Sequence, residues 1–245
     1  MYNICEEIKM RDFGEEFKKR TKAIADLVRA SGAKGIVYGN SGGKDSVLVG
    51  ILCKSACENT LGIMIPCATK RNFGEDLAHG KIIADMFNIN SHTVDITAVR
   101  NLLIKTLEDS DISLNPSAVN NIAPRLRMTL LYAVASSQNL LVAGTSNFSE
   151  KYVGYFTKWG DGACDFNPIA DLTAREVCEF LRYLGAPEDI ISKPPSGGLF
   201  DGQTDETELG ISYEKIDDYL LFGKASNEDK ALIESLHQKT AHKRN

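Results

Sequence analysis

The run Gly39-Asn40-Ser41-Gly42-Gly43-Lys44-Asp45-Ser46 brings together the groups that hold a phosphate anion. Gly42 and Gly43 can take positive φ and turn consecutive backbone N–H groups to one side. Such amides, backed by the start of a helix, form an anion nest. Ser41 and Ser46 add hydroxyl donors. The helix macrodipole adds about 0.3–2 kcal/mol for a bound anion. Asp45 alone would repel a phosphate, so a carboxylate here implies a divalent cation that the phosphates share. Two familiar phosphate loops do not fit. The Walker A pattern G-x-x-x-x-G-K-[ST] needs glycine where Tyr38 stands and Ser or Thr where Asp45 stands. No register of the turn supplies G-x-G-x-x-G. The plain alternative is a strand-to-helix turn with Asp45 or Ser46 as its N-cap.

A loop of this kind needs a strand before it and a helix after it. Ile4, Ile8, Phe17, Ile24, Leu27 and Val28 recur at helical spacing up to Gly32, and residues 35–39 form a short apolar run that reads as a buried strand. Residues 47–57 return to helical character, 61–66 read as a second strand, and the polar stretch 68–74 reads as a mobile loop. A helix over 75–87, a third strand over 91–96 and a helix over 97–109 follow. Residues 116–137 are helical with a break or restart near Pro124, and 139–144 read as a fourth strand. Strands alternating with helices predict a doubly wound, Rossmann-like parallel sheet flanked by helices, in a single domain over residues 1–245. The Pro-, Gly- and Ser-rich segment 193–210 is long for a connector and reads as a lid or binding loop.

Composition excludes several classes. With 43% hydrophobic and 25% charged residues the chain has the balance of a soluble globular protein. No apolar run approaches the ~20 residues of a membrane span, and the mixed-charge start is no targeting segment. A net charge of −5 argues against a nucleic-acid partner. The six cysteines, Cys5, Cys53, Cys57, Cys67, Cys164 and Cys178, include no C-x-x-C pair and read as free thiols of a reducing cytoplasm.

The S-G-G-x-D-S run is similar to the loop of the PP-loop ATP pyrophosphatases, which cleave ATP between its α and β phosphates. Later motifs narrow the resemblance. Asn121-Ile122-Ala123-Pro124-Arg125-Leu126-Arg127-Met128, Gly144-Thr145-Ser146-Asn147-Phe148-Ser149-Glu150 and Gly154-Tyr155-Phe156-Thr157-Lys158-Trp159-Gly160-Asp161-Gly162 resemble stretches of the NAD synthetases. Asp205-Glu206, Glu208-Leu209-Gly210, Ile216-Asp217 and His242-Lys243-Arg244 continue in that family's order. The resemblance implies the adenine nucleotide alpha hydrolase-like form of the Rossmann sheet. It also implies ATP-dependent amidation of deamido-NAD by ammonia through an acyl-adenylate, giving NAD, AMP and pyrophosphate. It assigns Gly39, Asn40, Ser41, Gly42, Gly43, Lys44, Asp45, Ser46, Thr145 and Ser196 to ATP, and Asp45 and Glu150 to Mg²⁺. Arg125, Lys158, Asp165, His242 and Lys243 fall to deamido-NAD. Members of the family are homodimers with deamido-NAD bound across the interface, and the apolar-faced stretch 118–135 offers a surface for a twin.

One position departs from the family pattern. Where the resemblance implies a lysine on ATP phosphate, Leu172-Thr173-Ala174-Arg175 carries alanine, and a methyl group cannot replace an ammonium. Either Lys44 supplies that charge or turnover is weakened, and weakened turnover with ATP recognition largely kept is the expectation. The resemblance occupies nearly the whole chain and leaves no room for a nitrilase-like glutaminase, so free ammonia is the expected nitrogen source unless a separate subunit delivers it. Two other readings stay open: a tRNA-modifying PP-loop ligase, and a non-catalytic adenine-nucleotide binder.

Overall fold

A computed structural model describes residues 11–200 and 202–244; the expected contributions of Ile4, Cys5 and Ile8 lie outside these residues. The chain runs α1 (Phe13–Ser31), β1 (Gly35–Gly39), α2 (Lys44–Ala56), β2 (Thr60–Met64), a π-helical turn over Asn72–Asp76, α3 (Leu77–Met86), β3 (Asn90–Thr93), α4 (Thr97–Glu108), α5 (Pro116–Asn120), α6 (Ile122–Gln138) and β4 (Leu140–Ala143). It continues through α7 (Phe148–Val153), α8 (Ala174–Tyr183), α9 (Glu188–Ile191), α10 (Asp205–Leu209), α11 (Tyr213–Phe222) and α12 (Asn227–Lys239).

The four strands pair in parallel in the order β3-β2-β1-β4. Strand β1 alternates between two layers, as the period of two requires. Ile36 and Tyr38 pack with Ile24, Leu48, Leu52, Val177 and Phe180 of α1, α2 and α8. Val37 packs on the other side with Leu61, Ile63, Val142 and Ala135 of α6. Helices therefore cover both faces, and the doubly wound expectation holds. Chain order moves outward from β1 to β3, and β4 then returns to the other side of β1. The sheet's switch point thus lies between β1 and β4, where open α/β sheets place their ligands. Tyr38 is fully buried beneath this edge. Gly50 makes room for it, since a Cβ there would stand 2.4 Å from the Tyr38 hydroxyl.

Three expectations need correction. The stretch 68–74 is not a mobile loop, because residues 70–76 wind into the π turn that leads straight into α3. Two of its polar side chains, Thr69 and Asn72, point inward and are satisfied there. Asn72 Oδ1 accepts from Cys67 N at 3.3 Å and from Arg127 at 2.8 Å, and Asn72 N donates to Thr69 Oγ1 at 3.2 Å. The helical break falls at Asn121 and not at Pro124. Pro124 sits in the first turn of α6, where a missing N–H costs no helical bond. The second and third strands end sooner than expected, at Met64 and Thr93.

A smaller cluster of Val153, Ala174, Leu209, Ile211, Tyr213, Ile216 and Ile233 joins α7, α8 and the last three helices. Asp217, 1% exposed, is its polar joint. It accepts from Ser149 Oγ at 2.5 Å and from Arg175 N at 2.7 Å, and Ser149 Oγ in turn accepts from Ala174 N at 3.1 Å. Burial pushes the Asp217 carboxyl up to about 6. An unfolded aspartate titrates near about 3.9. The stability linked to this group is therefore complete below that value and is lost as pH rises through about 6. Asp217→Asn is expected to flatten the wild-type loss of unfolding free energy between about pH 4 and about pH 7 by up to about 3 kcal/mol. Urea titrations across that range that give parallel curves for the two proteins would refute this.

Candidate active site

The glycine-rich turn is held by its own hydrogen bonds. Gly42 adopts φ +70, and a Cβ on it would lie 2.2 Å from the Asp76 carbonyl oxygen, so no other residue fits. Gly43, expected to share that conformation, is instead extended at φ −90. The amides of Gly42 and Gly43 do not stand open. They donate to Asn40 Oδ1 at 3.2 Å and Ser41 Oγ at 3.3 Å, while Asn40 Nδ2 anchors the turn on Gly80 O at 2.9 Å. Ser46 Oγ accepts from Ser41 N at 3.2 Å and donates to Gly43 O at 2.9 Å. The plain capping alternative is not what forms. Gly43 is the N-cap of α2, and no side chain caps that end. Among the described residues the N–H groups of Lys44 and Ser46 have no acceptor. The positive end of a 13-residue helix therefore opens into the cleft.

Asp45, in the first turn of α2, meets Glu150 of α7 through one side chain that the sequence reading left without a role. Asn147 is 1% exposed. Its Nδ2 donates to Asp45 Oδ1 at 2.9 Å, its Oδ1 accepts from Glu150 N at 2.9 Å, and its own N–H donates to Glu150 Oε2 at 3.1 Å. Asn147 and Glu150 thus form a capping box. Asp205 lies on the same wall, accepting from Gly197 N at 2.9 Å. Burial, and then repulsion from Asp45 and Asp205, holds Glu150 well above the ordinary carboxylate range. Burial raises Asp45 too, against the opposing pull of Lys44 and Asn147. Asp205 is pushed up to about 6, chiefly by burial. Carboxylates crowded in this way favour a proton or a cation among them.

The cleft encloses about 590 Å³ at the carboxyl edge of the sheet. It brings the 39–46 turn together with Thr145, Glu150, Ser196 and Lys243. Ser196 Oγ accepts from Gly198 N at 3.2 Å, and Lys243 donates to the carbonyls of Gly154 and Phe156, each at 2.8 Å. The remaining expected residues lie outside its lining. Arg125 is exposed on α6. Lys158 donates to the His242 carbonyl and lies over the Trp159 ring at 5.4 Å, and the His242 residue is exposed. Asp165 uses both oxygens within the fold, accepting from Val142 N at 2.8 Å and Tyr132 Oη at 3.1 Å. Ala174 is buried in the small apolar cluster, away from the cleft lining.

The sequence reading also missed Arg71, Asn72, Asp76, Arg127 and Lys193 of the opposite wall. Lys193 is buried and ion-paired with Asp76 at 2.6 Å, and Arg71 donates to Pro194 O at 3.0 Å, which ties the start of the 193–204 loop to the π-helical turn before α3. Arg71 and Asn72 lie in the stretch that read as a loop, Asp76 in the helix expected after it, Arg127 in a family motif that gave it no role, and Lys193 at the start of the expected lid. Asn147 did leave a signal: N-x-x-E ahead of an apolar helix is a capping signature.

A parallel sheet whose switch point carries an uncapped glycine turn facing pinned carboxylates defines a nucleotide-binding α/β enzyme. The sequence profile of one family, NAD synthase, matches residues 16–245, and the chain belongs to that family. It is 43% identical over 233 residues to the NH(3)-dependent NAD(+) synthetase of Carboxydothermus hydrogenoformans, covering 94% of each chain. The enzyme of the same name from Thermococcus sibiricus is 39% identical over 249 residues, covering 95% of each. Among solved structures, the NMN synthetase of Francisella tularensis superposes with a TM-score of 0.90 at 33% identity, covering 96% of this chain and 97% of that one. The NH3-dependent NAD synthetase of Campylobacter jejuni gives 0.76 at 32%, with the same coverage.

Replacing Asn147 by Ala removes the α7 cap and the donor to Asp45 together. The cap alone is worth about 0.5–2 kcal/mol, so the melting temperature of Asn147→Ala is expected to fall by at least about 1 °C. Calorimetric scans showing no change would mean that Asn147 does not hold this corner.

Proposed function

We propose that this chain amidates a nicotinate carboxylate, converting deamido-NAD, ATP and ammonia to NAD, AMP and pyrophosphate. The observation that carries the reading is the meeting, on one cleft wall, of the uncapped start of α2 and the Asn147-bound carboxylates of Asp45 and Glu150. The names of the curated relatives support the choice of substrates. A carboxylate is a poor electrophile for ammonia, because its charge is delocalised and oxide leaves badly. ATP removes that obstacle. A carboxylate oxygen bonds to the α-phosphorus, the bond from that phosphorus to the bridging oxygen breaks, and its electron pair departs on pyrophosphate. Ammonia then adds at the acyl carbon, AMP leaves with the acyl–oxygen pair, and loss of a proton gives the amide.

In this reading the 39–46 turn and Thr145 hold the triphosphate, and Ser196 meets ATP from the 193–204 loop. That loop, pinned at Lys193, keeps water from the acyl-adenylate. Lys243 meets the acceptor from the other end of the cleft. Fixing two nucleotides in line supplies much of the rate. Asp45 and Glu150 present hard oxygen donors from two separate elements, and their crowding is relieved by a divalent ion, so the pair fits Mg²⁺. Such an ion, when bound, would offset phosphate charge as pyrophosphate departs.

Arg125, Lys158, Asp165 and His242 sit outside the cleft, so their place at deamido-NAD rests on the family resemblance and the homodimer it implies. Helix α4 supports the same homodimer. It has no buried residue, and it carries Val99, Leu102 and Leu103 exposed. No helix among the described residues is long and apolar enough to cross a membrane. The free thiols of Cys53, Cys57, Cys67, Cys164 and Cys178 support a cytoplasmic setting. The fit to the Francisella protein favours one second reading, in which the acceptor is the mononucleotide acid and the product NMN.

Purified protein given ATP, Mg²⁺, ammonium and deamido-NAD is expected to release NAD and AMP in equal amounts. Asp45→Asn and Glu150→Gln are expected to lower that rate at least about 100-fold. AMP formation with tRNA alone, or ATP binding without AMP release, would replace the reading by a ligase or a nucleotide binder. Faster turnover with nicotinate mononucleotide would select the second acceptor. Leu102→Glu is expected to convert a dimer to monomers in light scattering, and an unchanged mass would remove α4 from the interface.

A further inference from the structure

The segment that carries Thr145, Asn147 and Glu150 is held from behind. Gly144 N donates to Phe166 O at 2.8 Å, Ser146 O accepts from Asn167 Nδ2 at 2.8 Å, and Phe148 N donates to Leu172 O at 2.7 Å. Ala174 N closes the series on Ser149 Oγ at 3.1 Å. From 144 to 148 the contacts fall on every second residue, as an extended chain requires. The residues between them face forward: Thr145 lines the cleft, and Asn147 donates to Asp45. Residues 166–174 thus form a backing strip for one cleft wall.

The strip has an anchor of its own, and none of it lines the cleft. Buried Ile24 and Val28 fix α1 on the core, and the same helix presents Arg20 to the strip. Arg20 Nη1 donates to Pro168 O at 2.5 Å and to Asp171 Oδ1 at 2.7 Å. Its Nη2 donates to Asp171 Oδ2 at 2.9 Å and to Glu16 Oε2 at 2.6 Å. Arg11 adds bonds to the carbonyl and the carboxylate of Asp171, each at 3.0 Å. The Arg20 side chain is 10% exposed and that of Asp171 57%, so water screens the ion pair, and the charge-assisted bond to Pro168 O is the firmer hold. Among the described residues the buried Arg20 Nε finds no acceptor. Leaving such a donor unmade is costly, and the guanidinium keeps its Nη contacts to the strip despite that cost.

Resting on the adenylation reading above, we propose that Arg20 is a positioning residue of the nucleotide site. Through the 166–174 strip it fixes Ser146 and Phe148, and with them Thr145, which meets the triphosphate, and Glu150, which is joined to Asp45 through Asn147. Its effect falls on ATP and the metal ion that accompanies it. The acceptor end of the cleft is set separately, by Lys243 on the carbonyls of Gly154 and Phe156.

The test sets local loosening against loss of the whole fold. Arg20→Gln, Arg20→Lys, Asp171→Asn and the control Glu16→Gln would be compared with wild type well below their melting temperatures. Glu16 pairs with Arg20 and Arg11, and among the described residues it makes no hydrogen bond to the strip. In hydrogen-exchange mass spectrometry of ligand-free protein, Arg20→Gln is expected to speed exchange in peptides covering 144–150 and to leave β1 and β2 as in wild type. Titration calorimetry should then show ATP with Mg²⁺ bound about fivefold more weakly, and deamido-NAD bound within about twofold of wild type. Arg20→Lys should recover part of the ATP loss, and Asp171→Asn should lose less than Arg20→Gln. Glu16→Gln should bind ATP as wild type does. Equal weakening of both ligands, or faster exchange through β1 and β2 as well, would show a residue that only supports the fold and would overturn the proposal. So would wild-type ATP binding by Arg20→Gln, or an equal loss in Glu16→Gln. A wild type that binds ATP but forms no AMP with any acceptor would remove the adenylation reading alone, and the exchange rates and ATP affinities would still decide the role of Arg20.

Discussion

A helix end left without a cap is an electrostatic commitment, and the rest of this site is arranged around it. The first N–H groups of α2 stand open while the turn before them satisfies its own amides with Asn40, Ser41 and Ser46. The turn therefore keeps its shape unaided, and the attraction for an anion is concentrated at the start of the helix. Gly42 shows how tightly that geometry is specified, since it meets both a left-handed backbone and the carbonyl of Asp76. The carboxylates of Asp45 and Glu150 stand beside it, joined through Asn147.

The wider fold serves to hold those two features in register. Buried parallel strands place the turn after β1 and the Thr145–Glu150 segment after β4 on neighbouring edges of one sheet. Asn147 closes the remaining gap, tying α7 to α2 through a single side chain. Asp217 secures the same first turn of α7 through Ser149, and the start of α8 through the Arg175 N–H. Each helix of this corner is thus fixed by a polar contact to a neighbour, and the apolar cluster around Ile216 fills the space beneath.

Much of this was legible in the amino-acid order, and the parts that were not share a cause. Strands β1 and β2 announce themselves as apolar runs because parallel strands are covered on both faces. The 39–46 turn is legible because only glycine and small polar residues can make it. By contrast, residues 68–74 look polar and loop-like, yet Thr69 and Asn72 are buried and bonded to Gly198 and Arg127 far along the chain. Arg127 likewise shows itself as a wall residue only once α6 is laid against β2. Gly43 was expected to mirror Gly42, and it did not, because Ser41 Oγ takes up its amide in an extended conformation. Local pattern reports local structure. Long-range polar pairing leaves no period behind.

Asp76 joins two jobs that are usually separate. Its backbone carbonyl forms the floor under Gly42, and its carboxylate holds Lys193 and Arg71. Drawing the 193–204 segment away strips a partly buried charge of its nearest partner, a cost of several kcal/mol, and it does so in the residue on which the phosphate turn rests. One residue thus joins the fastening of the 193–204 segment to the floor of the glycine-rich turn.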